Sequence, residues 1–194
     1  MLDSTNKKRN LISSLINHHF CIENTTKHTI LELLKPLDYE IIEFDEKFDW
    51  SFLYDEITEK TTKPFILFDK INQWSYLILN IWDFEEIKKM SLFLSKELNT
   101  KVYYFFIDPW VVTCRWVLAD KGKLLKSYNE SHDRILADDG YFEIENLIRS
   151  KLKDQKENEF WEDKFWELYN QICQPIEILN KEQNILLTKG NLSC

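Results

Sequence analysis

Apolar positions along this chain recur at two spacings, about 3.6 and 2, and the switch between them predicts the elements. Leu11, Ile12, Leu15, Ile16 and Phe20 fall near helical spacing and predict a helix over residues 5–20. Thr25 or Thr26 can cap a second helix through Ile30, Leu33 and Leu34. Pro36 stops it, because proline forces the residue before it out of the helical region. "YEIIEF" (39–44) reads as a short strand, and Asp49 as the cap of a helix carrying Trp50, Leu53 and Ile57. "PFILFDKINQWSYLILNIW" reads as a hairpin, with strands over 65–69 and 74–82 and a turn around Asn72. Asp83 opens the clearest helix: Glu86 completes a capping-box spacing, and Phe84, Ile87, Met90, Leu94 and Leu98 form one stripe.

Strands follow over 101–107, 110–119 and 123–128, with "DKG" as the turn between the last two. "NESHDRILADDG" reads as a polar loop, long for a compact domain. Further helices are expected around Ile144–Leu152 and over Trp161–Ile172, ended at Pro175. The pattern predicts no element in the tail from 176.

Strand 101–107 is apolar on both sides, as a strand covered on both faces must be. The expected class is α+β: a central, mainly antiparallel sheet of about 5–6 strands with helices on both faces. The helical connections leave room for one or two parallel neighbours. The chain reads as one domain, with N-terminal helices over 1–37, a sheet-forming core over 38–128 and C-terminal helices over 141–175.

With 44% apolar residues, the chain can build a core. Its three glycines stand apart, at 122, 140 and 190, so no glycine-rich phosphate cradle can form. No apolar run approaches the ~20 residues of a membrane span. The N-terminus has no small-residue cleavage site, and four scattered cysteines suit reduced thiols, so a cytoplasmic protein is expected.

Charge changes the picture most. The net charge is −8, and residues 38–59 alone hold nine acids and one base. Such a field repels nucleic acid and anionic lipid and attracts a basic partner. Asp55, Glu56 and Glu59 form one stripe at spacings of three and four. The same run of acids could also simply solvate a surface.

Two residues stay open on sequence grounds. Trp110 shares a face with Val112, Cys114, Trp116 and Leu118, but it starts its strand beside the Asp108-Pro109 turn. It is either a core-edge tryptophan or a partner contact. Arg115, on the opposite face, needs an internal carboxylate or an external anion.

Catalytic and metal constellations are thin. His132-Asp133 and Cys114 are not linked by sequence, and "HHFC" with His28 lacks the spacing of a zinc site. On this reading "HHFC" is a helix end with polar histidines. Asp138-Asp139 and Asp45-Glu46 are adjacent acids of a nonspecific kind. No catalytic residue, metal or cofactor is therefore assigned. An enzyme would have to assemble its site from Arg115, His132 and loop acids.

Region 83–128 carries a capped helix ending in "LSKELNTKV", an aromatic strand, a Trp-containing strand and a "DKG" turn into a last strand. It resembles small cytosolic immunity proteins of bacterial polymorphic and contact-dependent toxin systems. The resemblance covers about a quarter of the chain and rests on pattern and size. It implies a non-enzymatic protein that binds a cognate toxin domain and blocks its active site. No functional residue carries over from it; the charge pattern assigns partner binding to Glu43, Asp45, Glu46, Asp49, Asp55, Glu56 and Glu59, with Trp50 as anchor and Trp110 as a second, weaker aromatic. A structural adaptor or effector chaperone is the alternative.

Overall fold

The structure, a computed structural model, describes residues 19–43, 62–108, 112–132, 134–151, 160–172 and 186–193. Nine strands and four helices are formed by these residues. In chain order they are β1 (His19–Glu23), α1 (Lys27–Leu34), β2 (Asp38–Glu43), β3 (Thr62–Ile71), β4 (Trp74–Leu79), α2 (Phe84–Glu97), β5 (Lys101–Asp108), β6 (Thr113–Asp120), β7 (Lys123–Ser131), β8 (Arg134–Gly140), α3 (Glu143–Lys151), α4 (Phe160–Ile172) and β9 (Leu186–Ser193). All strands join one sheet in the order β2-β9-β3-β4-β1-β5-β6-β7-β8. Every pairing in it is antiparallel.

The class is α+β, with helices on both faces, as the pattern predicts. Three expectations need correction. The sheet has nine strands, not 5–6, and no parallel neighbour occurs among them. Phe20 lies in β1, not in a helix: His19, Phe20, Cys21 and Ile22 are all buried between β4 and β5. His19–Cys21 of "HHFC" are thus strand; His19 is 1% exposed, and its Nε2 lies 3.2 Å from the Tyr169 hydroxyl. Residues 5–18 lie outside the described residues.

The third correction concerns both ends of the sheet. "NESHDRILADDG" is not a loop: it completes β7 and forms β8, joined through His132 in a left-handed conformation. The tail supplies β9, which separates β2 from β3. The predicted strand over 110–119 is described from Thr113, and that over 74–82 ends at Leu79.

Local signals explain the other elements. Thr26 caps α1, its hydroxyl accepting from the Thr29 amide at 3.2 Å, and Lys35 closes it in the left-handed region before Pro36. The Asp83 carboxylate accepts from the Glu86 amide at 2.9 Å and starts α2. Asn99, left-handed, ends α2: its N–H reaches the Lys96 carbonyl and that of Thr100 the Ser95 carbonyl. Lys121 and Gly122 both take positive φ, so β6 and β7 meet in a two-residue turn whose twist suits a hairpin.

The sheet divides the core in two. Under α1 and α2 lie Phe20, Ile22, Phe65, Leu67, Leu77, Tyr104, Phe106 and Val117. Under α3 and α4 lie Cys21, Ile66, Phe68, Tyr103, Phe105, Trp116 and Tyr128. Burial of the Tyr104 phenol raises its pKa well above the ordinary value, partly offset by the charge of Arg115.

Candidate functional site

The described part of the acidic segment is β2. It pairs with β9 in one unbroken register, from Asp38 opposite Asn191 to Glu43 opposite Leu186. Partners across a strand pair share a face. Tyr39 faces Gly190, which faces Phe65, so Tyr39, Ile41 and Glu43 lie on the α1/α2 side. Asp38, Glu40 and Ile42 lie on the α3/α4 side, where Ile42 packs against the core.

β2 is an edge among the described strands, and it is exposed. Leu37, Tyr39 and Ile41 are 62%, 53% and 55% accessible, and Leu186 beside them is also exposed. Asp38 is held by Asn191, whose backbone and side-chain amides both donate to its carboxylate, at 3.1 and 2.9 Å. Glu40 meets Lys189 at 2.8 Å. A surface hollow of about 300 Å³ lies over Asp38, Tyr39, Glu40, Lys189, Gly190 and Asn191. Gly190 permits this approach: a Cβ there would stand 2.2 Å from the Asp38 carbonyl oxygen.

Of the residues assigned to partner binding, Glu43 is placed at the exposed end of β2. Asp45, Glu46, Asp49, Trp50, Asp55, Glu56, Glu59 and Trp110 lie outside the described residues. Asp38, Tyr39, Glu40 and Ile41 were not singled out by sequence, although their alternation of acid and apolar residue is the signal.

Among the described residues Arg115 forms no ion pair with an internal carboxylate. Its Nε donates to Asn129 at 3.0 Å, its Nη1 to the Trp82 carbonyl at 2.9 Å, and it lies over the Phe106 ring. His132 occupies the exposed β7–β8 turn, its N–H donating to the Val112 carbonyl. Neither residue lines the β2 hollow. Nor do they line a second, polar hollow of about 340 Å³, which includes Glu23, Asn24, Asn99, Lys101, Asp120 and Lys121. Asp138 and Asp139 lie in β8, not in a loop. Among the described residues no three His, Cys, Asp or Glu side chains converge as a metal group. No described helix is long and apolar enough to cross a membrane.

The other edge holds a charge lattice that the sequence did not reveal. Lys126, almost fully buried, bridges Asp138 and lies 3.6 Å from Glu145. Arg149 donates to Glu145 from Nε and Nη2, at 2.9 and 2.5 Å, and to Asp138 at 3.0 Å. The Trp116 indole donates to Glu145 at 3.1 Å, and its ring stacks on Tyr128 at 3.9 Å. Burial acts to raise the Asp138 pKa, but the Lys126 hydrogen bond and the two cations outweigh it and the net shift is downward. Burial, then the hydrogen bond to Glu130, drives the Tyr128 phenol far upward. Two cations and two anions balance, and the lattice ties α3 to β7 and β8. Its chemistry is structural.

No family model matches this chain, and comparisons with curated proteins and with solved structures likewise give no match.

Proposed function

We propose that this chain is an immunity-type protein that binds a cognate bacterial toxin domain with a basic surface and neutralises it. The observation that carries the reading is β2: the acidic segment begins on an exposed sheet edge that also shows Tyr39 and Ile41. Acids around exposed aromatic and aliphatic anchors favour fast, specific association with a basic protein. Glu43, Asp45, Glu46, Asp49, Asp55, Glu56 and Glu59 supply the field in this reading, with Trp50 and Trp110 as aromatic contacts.

The test is capture and neutralisation. The chain, used as bait in its source cell, retains a basic protein released by a salt step. That protein is toxic when expressed alone and harmless when co-expressed with the chain. Replacing Asp55, Glu56 and Glu59 together by lysine leaves the fold intact, slows association and flattens its salt dependence. Capture without any neutralised toxicity contradicts the reading.

An adaptor or effector chaperone is the second reading, and one observation favours it. Ile135, Leu136, Tyr141 and Leu147 are 54–69% exposed near β8 and α3. Binding of an effector through these residues, indifferent to salt, would support it.

A further inference from the structure

We infer that β2 accepts an added β-strand from a basic partner, and that this strand carries Lys or Arg at alternate positions with apolar residues between. The inference rests on the binding reading above and specifies how the partner docks.

Three observations carry it. First, among the described residues β2 pairs with β9 alone, so one side of its backbone meets no strand. A free strand edge offers a row of donors and acceptors that another strand can complete. Second, the edge is regular. β3, β7 and β8 carry register shifts, whereas the six β2–β9 pairs carry none. A bulge re-aims backbone groups and obstructs pairing, and β2 lacks that guard.

Third, charge selects the occupant. Asp38–Glu43 holds three acids and no base. Antiparallel pairing of β2 with a second copy of itself therefore brings only like charges together in any register, and like charges across a strand pair are destabilising. A basic strand meets the opposite situation. Because side chains alternate along a strand, its Lys or Arg residues would lie beside Asp38 and Glu40 on the α3/α4 side. Its apolar residues would cover Tyr39 and Ile41 on the α1/α2 side. The acids thus exclude self-assembly and admit a basic strand.

The experiment uses the full chain and a soluble peptide of alternating lysine and valine, with an alternating glutamate–valine peptide as control. Amide hydrogen exchange is followed residue by residue. The lysine–valine peptide should slow exchange at alternate amides within 38–43 by about tenfold or more, the glutamate–valine peptide by nothing. Replacing Asp38 and Glu40, the two acids that the peptide's lysines would meet, by lysine should weaken peptide binding by about tenfold. The double variant's own exchange elsewhere in the sheet should match the parent, which shows that it folds.

Binding of the lysine–valine peptide with unchanged exchange at 38–43 overturns the strand-addition proposal and leaves the acidic-surface reading standing. No binding at all overturns the proposal too, and the neutralisation assay then decides the broader reading by itself. Slowed exchange at 38–43 that depends on chain concentration, without peptide, overturns it in favour of a second copy.

Discussion

The two edges of the sheet solve one problem in different ways. β8 is bulged at Leu136 and fastened: Asp138 reaches Lys126 and Arg149, and both cations reach Glu145 on α3. β2 has a plain register, exposed apolar side chains and acids of one sign. An edge must be guarded against unwanted pairing. β8 is guarded by geometry and by ion pairs that close on themselves. Among the described residues β2 shows no bulge and no closed charge lattice, and its own charged side chains are all acids. Under the strand-addition proposal, these acids turn away copies of the chain and draw in what is basic. In that proposal β8 is the edge that stays closed and β2 the edge that is met.

Breaking the lattice should have the largest effect. Glu145 is 1% exposed and accepts from Arg149 and Trp116 beside Lys126. Glu145→Ala leaves buried donors and excess positive charge, and should cost about 3–5 kcal/mol, read by denaturant unfolding. A cost near zero would mean that β8 and α3 are not fastened by these charges.

Gly190→Ala probes the other edge. Its Cβ would meet backbone, the Asp38 carbonyl oxygen, which cannot swing aside as a long side chain can. About 1–3 kcal/mol of destabilisation is expected from this overpacking, with faster amide exchange concentrated in β2. Loss spread evenly over the sheet would show that β2 does not respond as a separate edge.

The smallest effect is in acid. The folded-state pKa of Asp138 is depressed, so its pairing stabilises the chain above the unfolded value of about 3.9. That contribution is lost as pH falls from there through the lower folded value. The parent should therefore lose more stability below about pH 4 than Asp138→Asn does, measured as Tm against pH. Parallel curves would remove Asp138 from the lattice.

What was legible in the sequence was local. The β3–β4 hairpin, the Asp83 cap and the Lys121-Gly122 turn each depend on residues close in the chain, and each is present. β8 and β9 were not legible. β8, "RILADDG", is exposed at nearly every position and shows no alternation. β9 contains Gly190, which weakens its strand signal, and becomes a strand because β2 and β3 flank it. Strands adjacent in sequence usually pair, and β9 breaks that expectation by entering between β2 and β3 from the far end of the chain. Phe20 fitted a helical stripe because a short apolar run has no period of its own. The candidate site was half visible. Charge segregation located the acidic segment, but that β2 is an edge follows from the sheet order, which no local pattern encodes.

The central claim is that the acidic edge recruits a basic protein. Its most direct test is the association rate of the chain with the basic protein it captures, measured against ionic strength. The account predicts a rate that falls on the order of a hundredfold from low to high salt, as steered association does. Part of that dependence should disappear when Glu40 and Glu43 become lysine, and more when Asp55, Glu56 and Glu59 do. A rate indifferent to salt, or a dependence untouched by those substitutions, would contradict it.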